Sequence, residues 1–329
     1  MERRTQTLAD VARAAGVSRS SVSRVINREP GVAPEVRQRV EEVISTLGYR
    51  PNPVARALAT GSADVVELVV VERDRRSFGA NPHYGRVVAG ILEGLADTDV
   101  QLRINVVEKG APAAALAVAT RSPGLGSVLV NVSPALAEDL SRDRERMVSM
   151  GRSAPGIPSF TAENENGVRS AIRHLYALGR RRIAAIHGPM KNPCAVGRRD
   201  GYFDAIAQLG LTPITADGDF SRETGAEATR RLLATHPDLD AIFCACDQTA
   251  TGALQVLMES GRRVPDDVAL VGFDDSVLAA AASPPLTSVH QPVEQIAASA
   301  TRLLLQRRMD TWQRDAFPTA LAIRKSSAG

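Results

Sequence analysis

Cysteine is scarce in this chain: Cys194, Cys244 and Cys246 are the three among 329 residues, and they supply no disulfide framework. Cys244 and Cys246 alternate along one extended run without a partnering Cys/His cluster, so neither a metal nor a cofactor is expected. No stretch approaches eighteen uncharged apolar residues, which argues against a membrane-spanning helix, and the N-terminus lacks the apolar run of a secretion signal. A soluble, intracellular protein with no membrane partner is the expectation. Also missing are G-x-G-x-x-G after a strand, G-x-x-x-x-G-K-[ST] and G-x-S-x-G, so nothing points to an enzyme. Net charge is small, +3, but unevenly spread. Residues 1–60 hold ten arginines against six carboxylates, +4, which leaves −1 for the remainder. Positive charge confined to one end is the footprint of a segment that meets phosphates. A merely solvated basic surface would explain that charge but not the helix spacing found with it.

In that basic end, Leu8, Val11, Ala12 and Ala15 fall at i, i+3, i+4 and i+7, one apolar stripe of a short helix that Thr7 can cap. Gly16 supplies a residue free to take positive φ, and Val17 returns to the core. Ser18 is a good cap for a second helix from Arg19 to about Asn27, with Arg19, Ser20, Ser23 and Arg24 on its polar face. Two short helices joined by so tight a turn form a helix-turn-helix, and the second has the length and polarity to lie in a DNA major groove. A third helix, Pro34 to Leu47, carries Val36, Val40, Val43, Ile44 and Leu47 on one face and ends at Gly48. Ala33 precedes it where a capping hydroxyl is usual, at a cost of about 1 kcal/mol that Pro34 only partly offsets. Beyond it, Asn52 can cap a short helix with Pro53 at its first position. The run from Val54 to Ala59 is too short to be stable alone in water.

The segments Thr7–Ala12, Gly16–Ser18, Val22–Asn27, Leu47–Asn52 and Ala55–Leu58 resemble the head and hinge of the lactose-repressor family of bacterial transcription regulators. The resemblance continues through nearly the whole chain. It implies a homodimer, or a tetramer, on near-palindromic double-stranded operator DNA in the cytoplasm and nucleoid. It also implies hinge helices paired in the minor groove, with an apolar wedge at a central base step. Leu58 matches that wedge. DNA contacts are then expected from Thr7, Ser18, Arg19, Ser20, Ser21, Ser23, Arg24 and Asn27 in the head, and from Asn52, Ala55 and Leu58 in the hinge.

After Gly61 the pattern changes to strands alternating with helices. Strands are expected at Val65–Val71, Val100–Val107, Ser127–Val132, Arg182–His187, Ala241–Cys244 and Val268–Phe273. Helices are expected at His83–Ala96, Ala113–Thr120, Gly167–Leu178, Arg198–Leu209, Glu223–Ala234 and Asp247–Ser260. Such alternation makes parallel sheets covered on both faces, and there are too many units for one sheet. The expected fold class is an N-terminal all-α helix-turn-helix head plus hinge helix, then an α/β sensor of two lobes with doubly wound parallel sheets. By resemblance the sensor is periplasmic-binding-protein-like, with three strands crossing between the lobes and a small-molecule effector between them. The expected domains are a head at 1–49, a hinge at 50–61 and a sensor and dimerisation domain at 62–329. Within the sensor, lobe one covers 62–161 plus 292–324 and lobe two covers 162–291.

Ligands in doubly wound lobes bind at the C-terminal ends of strands. Asp247 follows the strand at Ala241 and begins a helix, so it is a candidate both for helix capping and for the pocket. By resemblance, Arg198 bonds sugar hydroxyls or a ligand carboxylate through its planar fork, with Arg199 on the surface. Phe220 is the cleft aromatic, and Asp274 and Gln291 end strands at matching cleft positions. Glu163 stands with Asn164 where the family carries Asp-Asn. In lobe one, Phe78, His83 and Tyr84 replace the usual Asn-Pro-aromatic-aromatic element as lining candidates.

A transport-type binding protein would account for 62–324 but not for residues 1–60. A transcription regulator with a small-molecule sensor accounts for both. The family's commoner mode is repression relieved by a sugar, and the stretches from Phe78 to Gln101 and from Asp217 to Phe220 look most like regulators answering to cellobiose or other gluco-oligosaccharides. The alternative is a purine or nucleoside effector, or an effector acting as co-repressor.

Overall fold

The structure, a computed structural model, describes residues 6–26, 30–49, 64–110, 124–142, 146–306 and 309–328. It divides into two compact units at Asp64/Val65. Among the described residues no helix is long and apolar enough to cross a membrane.

The first unit is three helices: α1 (Leu8–Ala15), α2 (Arg19–Ile26) and α3 (Pro34–Leu47). Thr7 and Asp10 form a reciprocal capping box on α1, and Gly16 ends it with φ 66°. The Ser18 hydroxyl accepts from the Ser21 amide at 3.0 Å, which starts α2. Ala33 makes no side-chain cap bond, and Gly48 closes α3 with φ 60°. Val11, Ala12, Ala15, Val22, Val25 and Val40 are the buried centre on which the three helices meet. Asn27 and the whole stretch expected to form the hinge, 50–61, lie outside the described residues, as does the helix expected at 113–120.

The second unit holds two six-stranded sheets. The first is built from β1 (Val65–Glu72), β2 (Gln101–Glu108), β3 (Gly126–Val130), β4 (Met147–Met150), β5 (Ser159–Ala162) and β11 (Arg314–Phe317). Its order is β11-β5-β4-β3-β1-β2, parallel throughout. Helices α4 (Arg75–Ala80), α5 (Pro82–Gly94), α6 (Pro134–Ser141) and α12 (Val293–Leu305) belong to this lobe. Helix α5 packs closely on α12 at Gly90, where a Cβ would overlap the Glu294 carbonyl.

The second sheet runs β12-β10-β9-β8-β6-β7, from β6 (Ile183–Ile186), β7 (Ile214–Ala216), β8 (Ala241–Cys244), β9 (Ala269–Asp274), β10 (Thr287–His290) and β12 (Ala320–Ala322). Its helices are α7 (Asn164–Ala177), α8 (Pro193–Gln208), α9 (Arg222–Thr235), α10 (Asp247–Glu259) and α11 (Val277–Ala281). The central strands β1, β3, β6 and β8 are almost wholly buried, as continuous apolar runs between two helix layers should be, whereas the edge strands β2, β7, β11 and β12 are partly exposed.

The chain crosses between lobes three times: from β5 to α7, from β10 to α12 and from β11 to β12. The third crossing corrects one boundary. The expectation placed residues 292–324 in the first lobe, but Ala320–Ala322 pairs antiparallel with β10 in the second sheet. The C-terminal residues after β12 stay in that second lobe: the Ser326 hydroxyl donates to the Leu270 carbonyl at 2.6 Å, and Ser327 meets His174 on α7 at 2.8 Å. A strand of three residues shows no periodicity of its own, so only its pairing partner reveals its lobe.

Candidate functional site

Strand ends and crossings from both lobes enclose a cleft of about 770 Å³, including its open mouth. Its polar centre is Arg198, on the inward face of α8. Asn192 starts that helix, accepting from the Cys194 and Ala195 amides at 2.8 and 3.2 Å, with Pro193 in the first position. Arg198 is only 5% exposed, yet its bonds are made: Nε donates to Asn164 Oδ1 at 2.8 Å and Nη1 to the Ala245 carbonyl at 2.6 Å. Its plane lies 3.7 Å over the Phe273 ring, and Asp274 Oδ1 is 3.5 Å away. Gln291 Nε2 donates to the same Asp274 oxygen at 2.6 Å. Phe220 lines the wall nearby, its ring 5.9 Å from the Arg198 guanidinium carbon. Both Phe220 and Asp274 have positive φ, 72° and 113°, the sparsely populated backbone that side chains at ligand clamps often adopt.

The first lobe contributes His83, Tyr84, Asn131, Met150 and Phe160. The Tyr84 hydroxyl donates to Glu72 Oε2 at 2.6 Å and accepts from Asn131 Nδ2 at 2.7 Å, while Asn192 of the second lobe donates to Asn131 Oδ1. A chain of hydrogen bonds therefore runs from one lobe to the other along the cleft. Burial pushes the Tyr84 phenol well above its ordinary range, so it stays a donor. Burial also lowers the His83 pKa, against the pull of Asp274, so this ring is neutral at neutral pH.

Three sequence candidates stand elsewhere. Phe78 does not line the cleft; it stacks on Tyr84 at 4.9 Å and backs that ring. Glu163 lies in an outer groove lined by several charged side chains that shares Thr161, Ala162 and Pro193 with the cleft, and its Oε2 accepts from Asn166 at 2.9 Å. Asp247 is fully buried behind the wall. Its carboxylate takes the Ser276 amide at 2.7 Å and the Ser288 hydroxyl at 2.6 Å. The capping role there belongs to Cys246, whose sulfur accepts from the Thr249 amide and which does line the cleft. Cys246 and Asp247 are adjacent at the start of the helix, and their side chains go to opposite sides, one toward the opening and the next away from it. Burial, then the neighbouring Asp274 charge, pushes the Asp247 pKa up to about 7.

On the head, Arg19, Ser20 and Arg24 are exposed on α2. Ser18 bonds Ser20 and Ser21 at 2.7 and 2.9 Å, Ser23 is half-buried, and Thr7 is engaged in its capping box. Asn52, Ala55 and Leu58, like Asn27, lie outside the described residues.

Residues 7–52 match the family described as bacterial regulatory proteins, lacI family, and residues 172–327 match the periplasmic binding protein-like domain. The HTH-type transcriptional regulator CelR of Thermobifida fusca is 39% identical over 319 residues, covering 93% of each chain. The chain belongs to the lacI family. It is a DNA-binding transcription regulator and not an enzyme. Two solved structures cover nearly all of it. The transcriptional regulator CelR–cellobiose complex has TM-score 0.75 and 34% identity over 98% of this chain and 100% of that one. The lac repressor dimer bound to operator and the anti-inducer ONPF has TM-score 0.77 and 27% identity over 99% and 100%.

In this lacI-family chain the sequence reading missed Asn131, Asn192 and Cys246 as cleft residues. Asn192 had a usable signal, an Asn-Pro pair opening a helix. Cys246 had one as well, since the strand-end rule is met by the residue just before Asp247. Asn131 had none beyond following a strand; its φ of 58° is visible only in the fold. Among the described residues no three His, Cys, Asp or Glu side chains form a group that could hold a metal ion.

Proposed function

We propose that this regulator represses carbohydrate-utilisation genes and leaves its operator when cellobiose or a related gluco-oligosaccharide enters the cleft. The observation that carries the reading is the pairing on one wall of a polar triad, Arg198, Asp274 and Gln291, with the Phe220 ring. A sugar presents the same combination, hydroxyls around its edge and an apolar C–H face. The likeness to CelR and to a CelR–cellobiose complex supports the choice of sugar. In this reading His83 and Tyr84 form the opposing wall, Glu163 stands at the outer groove, and Phe78 and Asp247 act from behind the surface. The division is a head at 1–49 with Arg19, Ser20 and Arg24 at base edges, a hinge at 50–61 and a sensor beyond. The protein works in the cytoplasm as a homodimer on a near-palindromic duplex.

The test is made on the full chain. An operator is selected from random duplex DNA, and cellobiose, glucose, lactose and hypoxanthine are titrated by calorimetry and by operator release. Cellobiose binds and releases the operator, with glucose and hypoxanthine far weaker. Tight binding of hypoxanthine and none of cellobiose overturns the sugar reading, and tightened operator binding with cellobiose overturns repression by release.

A further inference from the structure

Arg86 makes four hydrogen bonds beside the cleft, although it does not line it. It stands on α5 of the first lobe, half-buried, and its Nε and Nη2 grip the two oxygens of Glu294 at 2.6 and 2.7 Å. Glu294 is in the first turn of α12, held beside α5 by the Gly90 contact. The same guanidinium sends Nη1 to the Asp274 carbonyl at 2.8 Å and Nη2 to the Gln291 carbonyl at 3.0 Å. Asp274 ends β9 in the second lobe, and Gln291 begins the second crossing between lobes.

We infer that Arg86 is a positioning residue for the effector: it fixes the main chain of Asp274 and Gln291, and so the aim of their side chains into the cleft. The inference rests on the reading of the cleft as the effector site. Asp274 needs such a hold, because φ of 113° is unfavourable for any residue with a Cβ and persists only when neighbours over-determine it. Its carboxylate then meets Gln291 Nε2 at 2.6 Å and Arg198 at 3.5 Å. One planar fork therefore organises the backbone of two residues whose side chains meet at the cleft floor. A lysine cannot replace it, since a single ammonium lacks the fork that serves the carboxylate and both carbonyls together. The ion pair lies within the first lobe and the bond to Asp274 spans the two, so rotation of one lobe against the other strains that bond and spares the ion pair.

The test uses the full-length protein with Arg86→Lys, Arg86→Met and Glu294→Gln, cellobiose as the probe, and hydrogen exchange alongside calorimetry. Both Arg86 variants bind cellobiose about tenfold or more weakly, while Glu294→Gln, which keeps the two carbonyl bonds, loses about threefold or less. Faster exchange in the Arg86 variants is confined to residues 274–276 and 291–294. A merely structural arginine would instead speed exchange across α5 and α12 and lower the melting temperature of all three variants alike. Cellobiose affinity within twofold of wild type in Arg86→Lys overturns the inference, as does unchanged exchange at 274–276. If the wild-type chain binds no cellobiose, the sugar reading fails by itself, and the exchange at those two segments still decides the role of Arg86.

Discussion

Arg198 and Asp247 are both ionisable groups taken out of water, and they are stabilised in different ways. Arg198 keeps its charge because Asn164, the Ala245 carbonyl and Asp274 surround it with acceptors. Arg198→Lys retains the charge but loses the fork, so effector affinity falls by about 1–3 kcal/mol. Calorimetry reads that loss, and operator affinity without effector stays within about twofold because the head is untouched. The hydrogen-bond partners of the Asp247 carboxylate are the Ser276 amide and the Ser288 hydroxyl, not a cation; Asp274 is the charged group that acts on it, and the buried Cys244 thiol is within its influence. Its folded pKa, about 7, lies above the ordinary aspartate value of 3.8, so the folded state holds a proton that the unfolded state has released. Stability from this group is therefore complete below about pH 4 and is lost as pH rises toward and through 7. In Asp247→Asn that decline disappears: its melting temperature, measured from pH 5 to 8 against wild type, gains relative to wild type as pH rises. A constant difference between the two proteins across that range would show that Asp247 is ionised throughout. Asp247→Ala lowers the melting temperature of the second lobe, because it strands the Ser276 amide and the Ser288 hydroxyl.

At the scale of elements, caps and turns account for the head. The Thr7–Asp10 box, Gly16, Ser18 and Gly48 place three helices with almost no loop between the first two. Arg19 at the start of α2 is exposed, and its proposed role at a base edge is open to a direct test. Arg19→Ala costs about 1–3 kcal/mol on the selected operator and relaxes preference at one base pair. Equal loss on random DNA, measured at the same salt concentration, would assign Arg19 to phosphates. Leu58→Ala is the companion variant: it weakens operator binding while leaving non-specific binding nearly intact, as loss of an apolar wedge does. Arg180, Arg181 and Arg182 tie down the partly exposed turn between α7 and β6. Arg180 donates to the Pro265 carbonyl at 2.7 Å, and the Arg181 and Arg182 amides donate to the Asp240 carboxylate at 2.8 and 3.0 Å.

For the whole molecule, a cleft that binds effector and a head that binds operator can influence one another only through a difference in stability between bound states. The coupling need be only about 1–3 kcal/mol to switch a promoter several-fold, and it must be reciprocal. The factor by which saturating cellobiose raises the operator Kd therefore equals the factor by which operator raises the cellobiose Kd. Both are measurable on one preparation, and unequal factors would mean that a third equilibrium, such as dimer dissociation, carries the response. Arg86→Lys lowers both factors together if the bond between its lobe and Asp274 transmits part of the coupling.

The amino-acid sequence determined what depends on near neighbours. Apolar spacing, capping residues and β-branched runs place α1 to α3, β1, β8 and α10 within a residue or two; strand ends point to Asp274 and Gln291, and the family resemblance to Arg198 and Phe220. The strands β4, β5, β7, β11 and β12 were not legible, because three or four residues carry too little periodicity; β8, equally short, stood out by its apolar run just before a helix start. Tertiary structure alone decided the lobe that takes the C-terminal strand, the burial of Asp247 behind the wall that Cys246 faces, and the grip of Arg86 on residues about two hundred positions away. The physical reason is common to all three. A side chain's local run sets its helix or strand, whereas its charge, exposure and role follow from partners that only the closed fold brings within hydrogen-bonding distance.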